Sequence, residues 1–395
     1  MQNGIVILEG ARTPFGSFMG SLQSISATDL GVVAAKGALE RSGVDPDLVG
    51  QVVFGNVLQT SADASFIARH VELKSGIPIY SSALTVNRNC GSGLEAILTG
   101  AKTIMAGETD CVLAGGAENM SMAPFVLRGA RQGWRLGQGV IEDSLWLALT
   151  DSYNNLIMGL TAENLAIKYK ISREEQDVFA LRSQRCAADA RDSGLLAREI
   201  VPVTVKIRKN MTIVDQDEHI RSEATLEELG KLRPAFSKDG TVTPGNASGI
   251  NDGAAAFVIA TEKMAVEQNW RPFARLISWA TAGVDPDIMG IGPVPAIQLA
   301  LKRAGLVLDD IDLFEVNEAF AAQYLAVEAE LHLDRDKTNV NGGAIALGHP
   351  VGASGARILL TLLHALVDRN GKYGVASLCI GGGQGIAAVV ENLRR

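Results

Sequence analysis

Cysteine is scarce in this sequence: 395 residues contain four, and their spacing suggests neither paired disulfides nor a zinc site. Also missing are a signal-like N-terminal segment, a mitochondrial presequence and any apolar run long enough to span a bilayer. The first predicted strand begins almost at once, at residue 4. These absences argue against the secreted and membrane-spanning classes and predict a protein of the reducing cytoplasm.

Positive charge is not in excess either. The net charge of −8 argues against a broad nucleic-acid surface, so an anionic ligand would need a local basic patch. There is no P-loop or His-Glu-x-x-His motif, and the C-terminal glycine run lacks the helix and acidic residue of a dinucleotide fingerprint. We therefore expect no metal and no redox cofactor. The 47% hydrophobic content and 42 glycines are typical of a soluble globular protein of two or three domains.

Strands and helices alternate regularly through residue 116, which predicts an α/β domain with a largely parallel sheet. The predicted strands lie at 4–9, 51–57, 82–86 and 110–115, and the predicted helices at 28–42, 64–74 and 91–107. The alternation then breaks until a further strand at 254–260. We expect a first half at 1–117 plus 251–270, an inserted loop domain at 118–250 and a second half at 271–395.

The second half repeats the first at a fixed distance along the chain. Arg41 and Arg303 are 262 positions apart, and so are Ser92-Gly93 and Ser354-Gly355, each of which opens a predicted helix. Two α/β domains related by duplication are the simplest explanation. The helix after Ser354 is apolar on nearly all sides, which predicts that it lies in a central layer beside the helix after Cys90.

A thiol lies where an extended run meets a helix. Apolar residues recur at helical spacing after Gly93, which places Cys90 at a helix N-terminus. Free backbone N–H groups there would favour the thiolate, the form of cysteine that attacks carbonyl carbons. A single cysteine at such a turn is more often structural than catalytic, so this signal is ambiguous by itself.

Three further loops place polar groups beside apolar segments. His349, one of five histidines, lies close to the position that the repeat relates to Cys90, which makes it a candidate base for that thiol. A loop histidine is more often solvated when taken alone. Asn317 follows an apolar strand, and Cys379 ends another strand before a glycine-rich run of free backbone donors.

Together these motifs resemble the thiolase family. In chain order they are Cys90-Gly-Ser-Gly, Asn317-Glu-Ala-Phe, Gly348-His349-Pro350 and Cys379-Ile-Gly-Gly-Gly-Gln-Gly, and the likeness runs from Ala11 to the C-terminus. The resemblance implies a five-layered αβαβα fold of two duplicated α/β domains with a large loop-domain insertion. It also implies an acyltransferase that reversibly cleaves 3-ketoacyl-CoA with CoA to acyl-CoA and acetyl-CoA, or condenses two acetyl-CoA to acetoacetyl-CoA.

The resemblance also implies a role for each polar residue of the motifs. Cys90 would take the acyl group as a thioester while His349 draws off its proton, and Cys379 would exchange a proton with the acetyl-CoA carbanion. One oxyanion hole would be formed by His349 with a water held by Asn317. The backbone N–H groups of Cys90 and Gly381 would form the other.

Coenzyme A, a substrate in this resemblance, is expected to contact the insertion and the loops around it. The residues implied for CoA are Leu149, Met158, Arg221, Phe236, Ala247 and Ser248, with Met289 and Phe320 lining the acyl end. Ordinary core packing is an equally good interpretation of Met158, Met289 and Phe320, and solvent exposure is the alternative for Arg221.

Residues 121–142 resemble the loop that joins thiolase dimers, which implies a homotetramer. The nearby cluster of Arg128, Arg131 and Arg135 would face an anionic nucleotide, another subunit or, more simply, solvent.

Subfamily and chain length stay open at the level of the sequence. Runs such as 55–59 resemble 3-ketoacyl-CoA thiolases of mitochondrial β-oxidation, whereas 231–236 is closer to bacterial acetoacetyl-CoA thiolases. Asn89, Ile157 and Pro244 depart from the usual pattern, and Asn89 replaces an apolar residue.

Two other functions fit part of the pattern. A decarboxylating 3-ketoacyl synthase would pair one cysteine with two histidines, or with one histidine and one asparagine, so Cys379 argues against it. A non-catalytic acyl-CoA-binding relative would have lost its nucleophile, whereas Cys90 is present.

Overall fold

The computed structural model describes residues 4–134, 136–137, 139–207 and 209–395. Arg135, one of the three clustered arginines, lies outside the described residues.

Strands and helices are distributed along the whole described chain. The strands are β1 (Ile5–Arg12), β2 (Gly16–Ser17), β3 (Gln51–Gly55), β4 (Ser82–Val86), β5 (Cys111–Asn119), β6 (Phe125–Leu127), β7 (Ile141–Asp143), β8 (Thr150–Asp151), β9 (Leu156–Ile157), β10 (Val203–Ile207), β11 (Asn210–Val214), β12 (Asn251–Thr261), β13 (Ala274–Gly283), β14 (Leu313–Val316), β15 (Tyr373–Ile380) and β16 (Gln384–Asn392). The α-helices are α1 (Ala27–Ser42), α2 (Ile67–Lys74), α3 (Ser92–Met105), α4 (Ser144–Ala148), α5 (Met158–Tyr169), α6 (Arg173–Asp192), α7 (Leu226–Gly230), α8 (Glu262–Glu267), α9 (Pro293–Ala304), α10 (Ala321–Leu331), α11 (Ala344–Leu347) and α12 (Ser354–Asp368). The strands and helices predicted before residue 116 are present, with their ends shifted by a few residues.

The main sheet has the order β14-β15-β16-β13-β1-β12-β5-β3-β4, and β2 pairs with β12. β3 is parallel to β4 and β5, and β14 is parallel to β15. β1, β12, β13 and β16 pair with their neighbours in the antiparallel sense. The prediction of a largely parallel sheet is therefore wrong. The reason is that β12 returns after a long excursion and enters between β1 and β5 without a crossover helix.

The sheet consists of two halves that meet along a short antiparallel contact between Ile5–Ile7 of β1 and 274–276 of β13. Equivalent strands pair in equivalent register. Gly55 of β3 pairs with Gly116 of β5, and the residues 261 positions later, Val316 of β14 and Ser377 of β15, also pair. This matching register is what a duplicated α/β domain requires.

Helices cover both outer faces of the sheet halves and fill the space between them. α1 and α2 pack on the outer face of the first half, and α9 and α10 pack on the outer face of the second. α3 and α12 lie between the halves in a core that includes Leu98, Val112, Leu359 and Ala388. The five-layered fold and the central position of the helix after Ser354 are confirmed.

The two central helices begin where their backbones touch. A Cβ atom on Gly93 would lie 2.8 Å from the backbone nitrogen of Ala356, and one on Gly355 would overlap the backbone nitrogen of Leu94. Only glycine permits so close an approach. The loops that precede α3 and α12 are therefore brought together, as the repeat predicted.

The segment between β5 and β12 leaves and returns at the same end of the sheet, because Asn119 pairs with Asp252. It contains the hairpins β6–β7, β8–β9 and β10–β11 together with α4 to α7. The bounds 118–250 for an inserted domain stay a prediction. None of the helices within the described ranges is long and apolar enough to cross a membrane.

Candidate active site

Cys90 lies in a tight turn between β4 and α3. Asn89 adopts a left-handed backbone conformation with φ of 44°, which asparagine tolerates better than an apolar residue does. Ser92 closes the turn: its N–H donates to the Asn89 carbonyl at 2.9 Å, and its hydroxyl accepts the N–H of Arg88 at 2.8 Å. The side chain of Asn89 donates to the carbonyl of Gly381 at 3.1 Å, which ties this turn to the loop after β15.

The thiol of Cys90 is not poised to ionise, so the predicted preference for the thiolate is wrong. Burial disfavours the charged form and raises the pKa of Cys90 to about 11. The backbone amides of Gly381 and of Cys90 itself lower the pKa but weigh less. The first amides at the start of α3 are already used, since the N–H groups of Gly91 and Ser92 donate to carbonyls of the preceding turn. Cys90 therefore needs a base to remove its proton.

His349 is held by its backbone and by its ring. Its N–H donates to the side-chain oxygen of Asn251 at 3.0 Å, and its Nδ1 lies 2.6 Å from the hydroxyl of Ser354. That hydroxyl donates its single proton to the carbonyl of Pro350 at 2.9 Å, so it must accept a hydrogen bond from Nδ1–H. The tautomer assigned in this way leaves the lone pair of Nε2 free to act as a base.

The imidazole of His349 is neutral at physiological pH. Burial lowers its pKa to about 3, and the positive charge of Arg357 acts in the same direction. Burial raises the pKa of the Cys90 thiol as well, so desolvation favours the neutral form of both groups.

Asn317 follows β14 and points at the same imidazole. Its Nδ2 lies 3.5 Å from Nε2 of His349, at the outer limit of a hydrogen bond. Its Oδ1 is buried and has no hydrogen-bond partner among the described residues. The neighbouring Glu318 is fixed by the hydroxyl of Ser183 at 2.6 Å and by the amide of Asn339 at 2.9 Å. A firmly held loop thus presents the side-chain amide of Asn317, whose Oδ1 can still accept a hydrogen bond.

Cys379 is the penultimate residue of β15 and is fully buried in a cluster with Met289, Ala319 and Phe320. Burial raises the pKa of its thiol far above the usual range, and the proximity of Cys90 raises it further. The two cysteines are therefore neighbours, although 289 positions separate them in the sequence.

A cavity of about 500 Å³ opens onto both Cys90 and His349. Its lining includes every residue that was predicted to contact CoA or the acyl end: Leu149, Met158, Arg221, Phe236, Ala247, Ser248, Met289 and Phe320. Asn317, Cys379 and Gly381 are not part of this lining. Asn317 and Cys379 instead approach His349 and Cys90 from the protein interior.

The cavity wall is built from two loops that hold each other. The N–H of Ser248 donates to the carbonyl of Ala319 at 2.9 Å, and Ala247 forms a backbone bridge with Phe320. The rings of Phe320 and Phe236 meet edge to face, with centroids 6.1 Å apart.

Sequence reasoning missed several residues of the site. His219 lines the cavity, and burial lowers its pKa; the rarity of histidine was the one available signal. Ser354, which orients His349, was noted only as a helix start. Glu118 carried no signal at all.

Glu118 is fully buried at the end of β5. It accepts hydrogen bonds from the amide of Asn56 and from the backbone N–H groups of Val57, Leu58 and Gly352, at distances of 3.0 to 3.1 Å. Burial raises the pKa of this carboxyl to about 8. Because Gly352 follows His349 closely in the sequence, Glu118 fastens the histidine loop to the first half of the molecule.

Two family models match the chain: "Thiolase, N-terminal domain" over residues 5–263 and "Thiolase, C-terminal domain" over residues 270–392. The chain belongs to the thiolase family. The predicted family and the predicted acyltransferase activity of the thiolase type are confirmed.

Curated relatives and solved structures match almost end to end. The chain is 54% identical to the human mitochondrial 3-ketoacyl-CoA thiolase over 390 residues, which are 98% of each protein. It is also 54% identical to the acetyl-CoA acetyltransferase of Escherichia coli strain K12 over 394 residues, which are 98% of this chain and 99% of that one. The crystal structure of the human enzyme superposes with a TM-score of 0.97 at 54% identity, covering 99% of both chains. Its complex with CoA gives 0.96 at 53% identity, covering 99% of this chain and 98% of that one.

Proposed function

We propose that the chain cleaves 3-ketoacyl-CoA with CoA, reversibly, through an acyl-Cys90 intermediate. The observation that carries this proposal is that Cys90 and His349 open onto a cavity whose wall contains all eight residues predicted for CoA and the acyl end. The relatives named above act in the same class of reaction by their names, and one solved relative holds CoA. In the opposite direction the same site condenses two acetyl-CoA to acetoacetyl-CoA.

In the first half of the reaction, Nε2 of His349 takes the proton of Cys90 as the sulfur attacks the keto carbon of the substrate. The bond between the keto carbon and the adjacent carbon on the CoA side then breaks. The acyl group stays on the sulfur of Cys90 as a thioester. The electron pair of that bond leaves on the acetyl-CoA carbanion, which takes the proton of Cys379.

In the second half, the Cys379 thiolate accepts the proton of the CoA thiol. The CoA sulfur attacks the thioester, and Cys90 leaves and recovers its proton from His349. Both cysteines and the histidine thereby return to the neutral forms that burial favours.

Negative charge develops on oxygen in both halves. The amides of Cys90 and Gly381, which already act on the thiol, would bind the oxyanion of the acyl carbonyl. Protonated His349 and a water held by Asn317 would bind the enolate oxygen of acetyl-CoA, and the unpartnered Oδ1 of Asn317 supports this role. Removing one such donor typically slows turnover by about a hundredfold.

CoA and the acyl end of the substrate would lie along the cavity lined by the eight residues. Arg221 supplies a positive charge there for a phosphate group, and Ser248 supplies a hydroxyl for the amide-bearing pantetheine arm. Phe236, Phe320 and Met289 supply apolar walls.

The test is acylation of Cys90. Incubation of the protein with acetoacetyl-CoA, followed by acid quench and peptide mass spectrometry, should place an acetyl group on the peptide that contains Cys90. Cys90→Ser should remove that label and lower kcat/KM for CoA-dependent cleavage at least about a thousandfold. Cleavage that survives the loss of Cys90 would overturn the proposal.

We also propose a homotetramer. The hairpin β6–β7 and its loop expose the apolar side chains of Phe125, Leu136 and Ile141, which favours burial against another copy. Arg128 pairs with Glu142 across this hairpin at 2.6 Å, which weakens the idea that it binds a nucleotide. β4 ends the sheet with exposed Leu84 and a free edge that suits pairing with a second subunit.

Light scattering should give a tetramer, and Leu136→Glu with Ile141→Glu should give a dimer; an unchanged mass in the double variant would contradict the role of the hairpin.

For compartment and pathway we propose the cytoplasm and fatty-acid β-oxidation. All four cysteines are free thiols, which suits a reducing compartment. The pathway is proposed from the resemblance of runs such as 55–59 to 3-ketoacyl-CoA thiolases of β-oxidation, and the human relative is named a mitochondrial 3-ketoacyl-CoA thiolase. Cell fractionation tests the compartment: activity in an organelle fraction would overturn it.

A further inference from the structure

The loop between β15 and β16 carries Gly381, whose amide would bind the acyl oxyanion. It consists of three consecutive glycines, and glycine loses more conformational freedom on folding than any other residue. Gly382 and Gly383 adopt left-handed backbone conformations, with φ of 89° and 83°. The local sequence therefore leaves the direction of the Gly381 amide open, and contacts with other parts of the molecule must fix it.

The far end of this glycine loop is held by the second half of the molecule and by the nucleophile turn. The carbonyl of Gly383 accepts the N–H of Val284 at 2.8 Å. Gln384 pairs with Ile380 where β16 begins, and its Oε1 accepts Nη1 of Arg88 at 3.1 Å. These contacts fix positions 383 and 384 and leave the first glycine of the loop to another partner.

That partner is Asn89. Its Nδ2 donates to the carbonyl of Gly381 at 3.1 Å, and in the described part of the chain no other group donates to this carbonyl. A carbonyl oxygen only accepts hydrogen bonds, so the side chain must present its NH₂ group here. Because the carbonyl and the N–H of Gly381 are attached to one Cα atom, holding the carbonyl limits how far the N–H can turn away from Cys90.

The backbone of Asn89 is itself firmly held. Its N–H donates to Oδ1 of Asn87 at 2.9 Å, and its carbonyl accepts both the N–H and the hydroxyl of Ser92, at 2.9 and 2.7 Å. The residue as a whole is exposed, so its side chain can be replaced without disturbing the packed core. A fixed turn thus extends one amide from the residue before Cys90 to the loop that carries the second oxyanion donor.

We propose that Asn89 is a positioning residue that holds the Gly381 amide in the direction of the acyl oxyanion. This inference rests on the proposed function, and Asn89 acts through Gly381 rather than on the substrate. A donor that is already oriented stabilises the transition state more than one that must first reorient. The apolar residue that is usual at this position cannot donate a hydrogen bond, so the tie belongs to the nucleophile turn of this chain.

Two substitutions remove the donor in different ways. Asn89→Gly adopts the same left-handed backbone but has no side-chain amide. Asn89→Asp keeps the shape and tolerates that backbone, but its carboxylate only accepts hydrogen bonds. A more flexible turn would slow Asn89→Gly alone, and an added negative charge would slow Asn89→Asp alone. Loss of the tie to Gly381 should slow both.

Steady-state kinetics of acetoacetyl-CoA cleavage is the first measurement. Both variants should lower kcat about tenfold, which is less than the roughly hundredfold loss expected when an oxyanion donor is removed outright. KM should change by less than about twofold, because the interaction that is weakened forms only in the transition state.

The second measurement needs no turnover. The rate at which iodoacetamide alkylates Cys90 is followed by peptide mass spectrometry at several pH values. The Gly381 amide lowers the pKa of Cys90, so a misplaced amide leaves less thiolate at a given pH. Alkylation of Cys90 in Asn89→Gly should therefore be slower than in wild type, by about threefold or more at each pH below that pKa.

Asn269→Gly is the matched control. Asn269 is also an exposed asparagine with a left-handed backbone, at φ of 56°, but it lies in the loop after α8. Its substitution should leave both kcat and the alkylation rate of Cys90 at the wild-type values.

A wild-type kcat in either Asn89 variant, or an unchanged alkylation rate in Asn89→Gly, would overturn the positioning role. Failure of the proposed function looks different, because the wild-type protein would then cleave no acetoacetyl-CoA and carry no acetyl group on Cys90. The alkylation rates would still show in that case whether Asn89 acts on the thiol through Gly381.

Discussion

At the end of β3, Asn56 donates to Glu118 at 3.0 Å, and Glu118 accepts three backbone N–H groups besides. At the corresponding end of β14, 261 positions later in each case, stand Asn317 and Cys379. These two face the ring of His349 and the thiol of Cys90. In the first half the polar pair spends its hydrogen bonds on neighbouring loops, whereas in the second half Oδ1 of Asn317 has no hydrogen-bond partner among the described residues. One duplicated framework thus fastens loops in one half and, in the other, carries the residues that we propose act on the substrate.

The starts of the two central helices differ in the same way. The hydroxyl of Ser92 donates to the carbonyl of Asn89 at 2.7 Å and accepts a backbone N–H, so all its bonds lie within the turn. The hydroxyl of Ser354 donates to the carbonyl of Pro350 in the same manner but accepts the ring of His349. The first turn presents the thiol that we propose as nucleophile, and the second presents the imidazole that we propose as base.

Removal of Cys379 should give the largest difference in activity between the two halves. We expect Cys379→Ala to lower kcat for acetoacetyl-CoA cleavage by about 10² to 10⁴, the usual contribution of a general acid–base group. Steady-state kinetics on the purified protein measures this loss. Glu118→Gln, at the corresponding place in the first half, is the control and should lose far less activity. A Cys379→Ala enzyme within tenfold of wild type would contradict the assigned role.

The two asparagines should give opposite results. Asn317→Ala should slow turnover about a hundredfold, because it removes an oxyanion-binding group, and should change the free energy of unfolding little. Asn56→Ala should lower the free energy of unfolding by about 1 to 3 kcal/mol, since the amide donates at 3.0 Å to both Ala117 and Glu118. Kinetics and urea unfolding on both variants decide the matter, and equal effects of the two substitutions would contradict the division of roles.

Substitutions of the two serines should distinguish the same two halves through smaller effects on rate and stability. Ser354→Ala removes the acceptor of Nδ1–H in His349 and should lower kcat about tenfold through a misplaced ring. Ser354→Thr keeps the hydroxyl and should restore much of the rate. Ser92→Ala should act mainly on stability and lower the free energy of unfolding, measured with urea, by about 0.5 to 1.5 kcal/mol, the usual net contribution of an intramolecular hydrogen bond. A rate loss in Ser92→Ala as large as in Ser354→Ala would remove the distinction.

Substitution of Glu118 should change the pH dependence of the free energy of unfolding. Of the substitutions described, it should affect the rate least. Its pKa is about 8 in the folded protein against an ordinary value of 4.5, so between these values the folded state binds a proton that the unfolded state has released. The stabilisation is complete below the lower value and is lost as pH rises through the upper one. The free energy of unfolding of wild type minus that of Glu118→Gln should therefore fall between pH 4.5 and 8, with a slope of at most about 1.4 kcal/mol per pH unit. Urea unfolding at several pH values measures it, and a flat or rising difference would contradict this sign.

Local patterns predicted the parts of this molecule that depend on neighbouring residues. The helix after Cys90, the buried helix after Ser354 and the repeat that joins them are visible as apolar periodicity and spacing. The four motifs identified the loops of the site, and the eight residues that the family resemblance implies for CoA and the acyl end all line one cavity. The prediction that most strands of the main sheet run parallel was wrong, because β12 pairs in the antiparallel sense with strands more than a hundred residues earlier in the chain.

The sequence by itself determined which loops carry Cys90, His349, Asn317 and Cys379. Nearby glycines and the ends of apolar strands are enough to identify those loops. Only the tertiary structure decided the state of those groups. The pKa of Cys90 depends on burial and on the amide of Gly381, and the tautomer of His349 depends on Ser354. The cavity onto which Cys90 and His349 both open depends equally on residues remote in the chain. Desolvation and hydrogen bonding act between whatever atoms the fold brings together, and no local pattern records those partners.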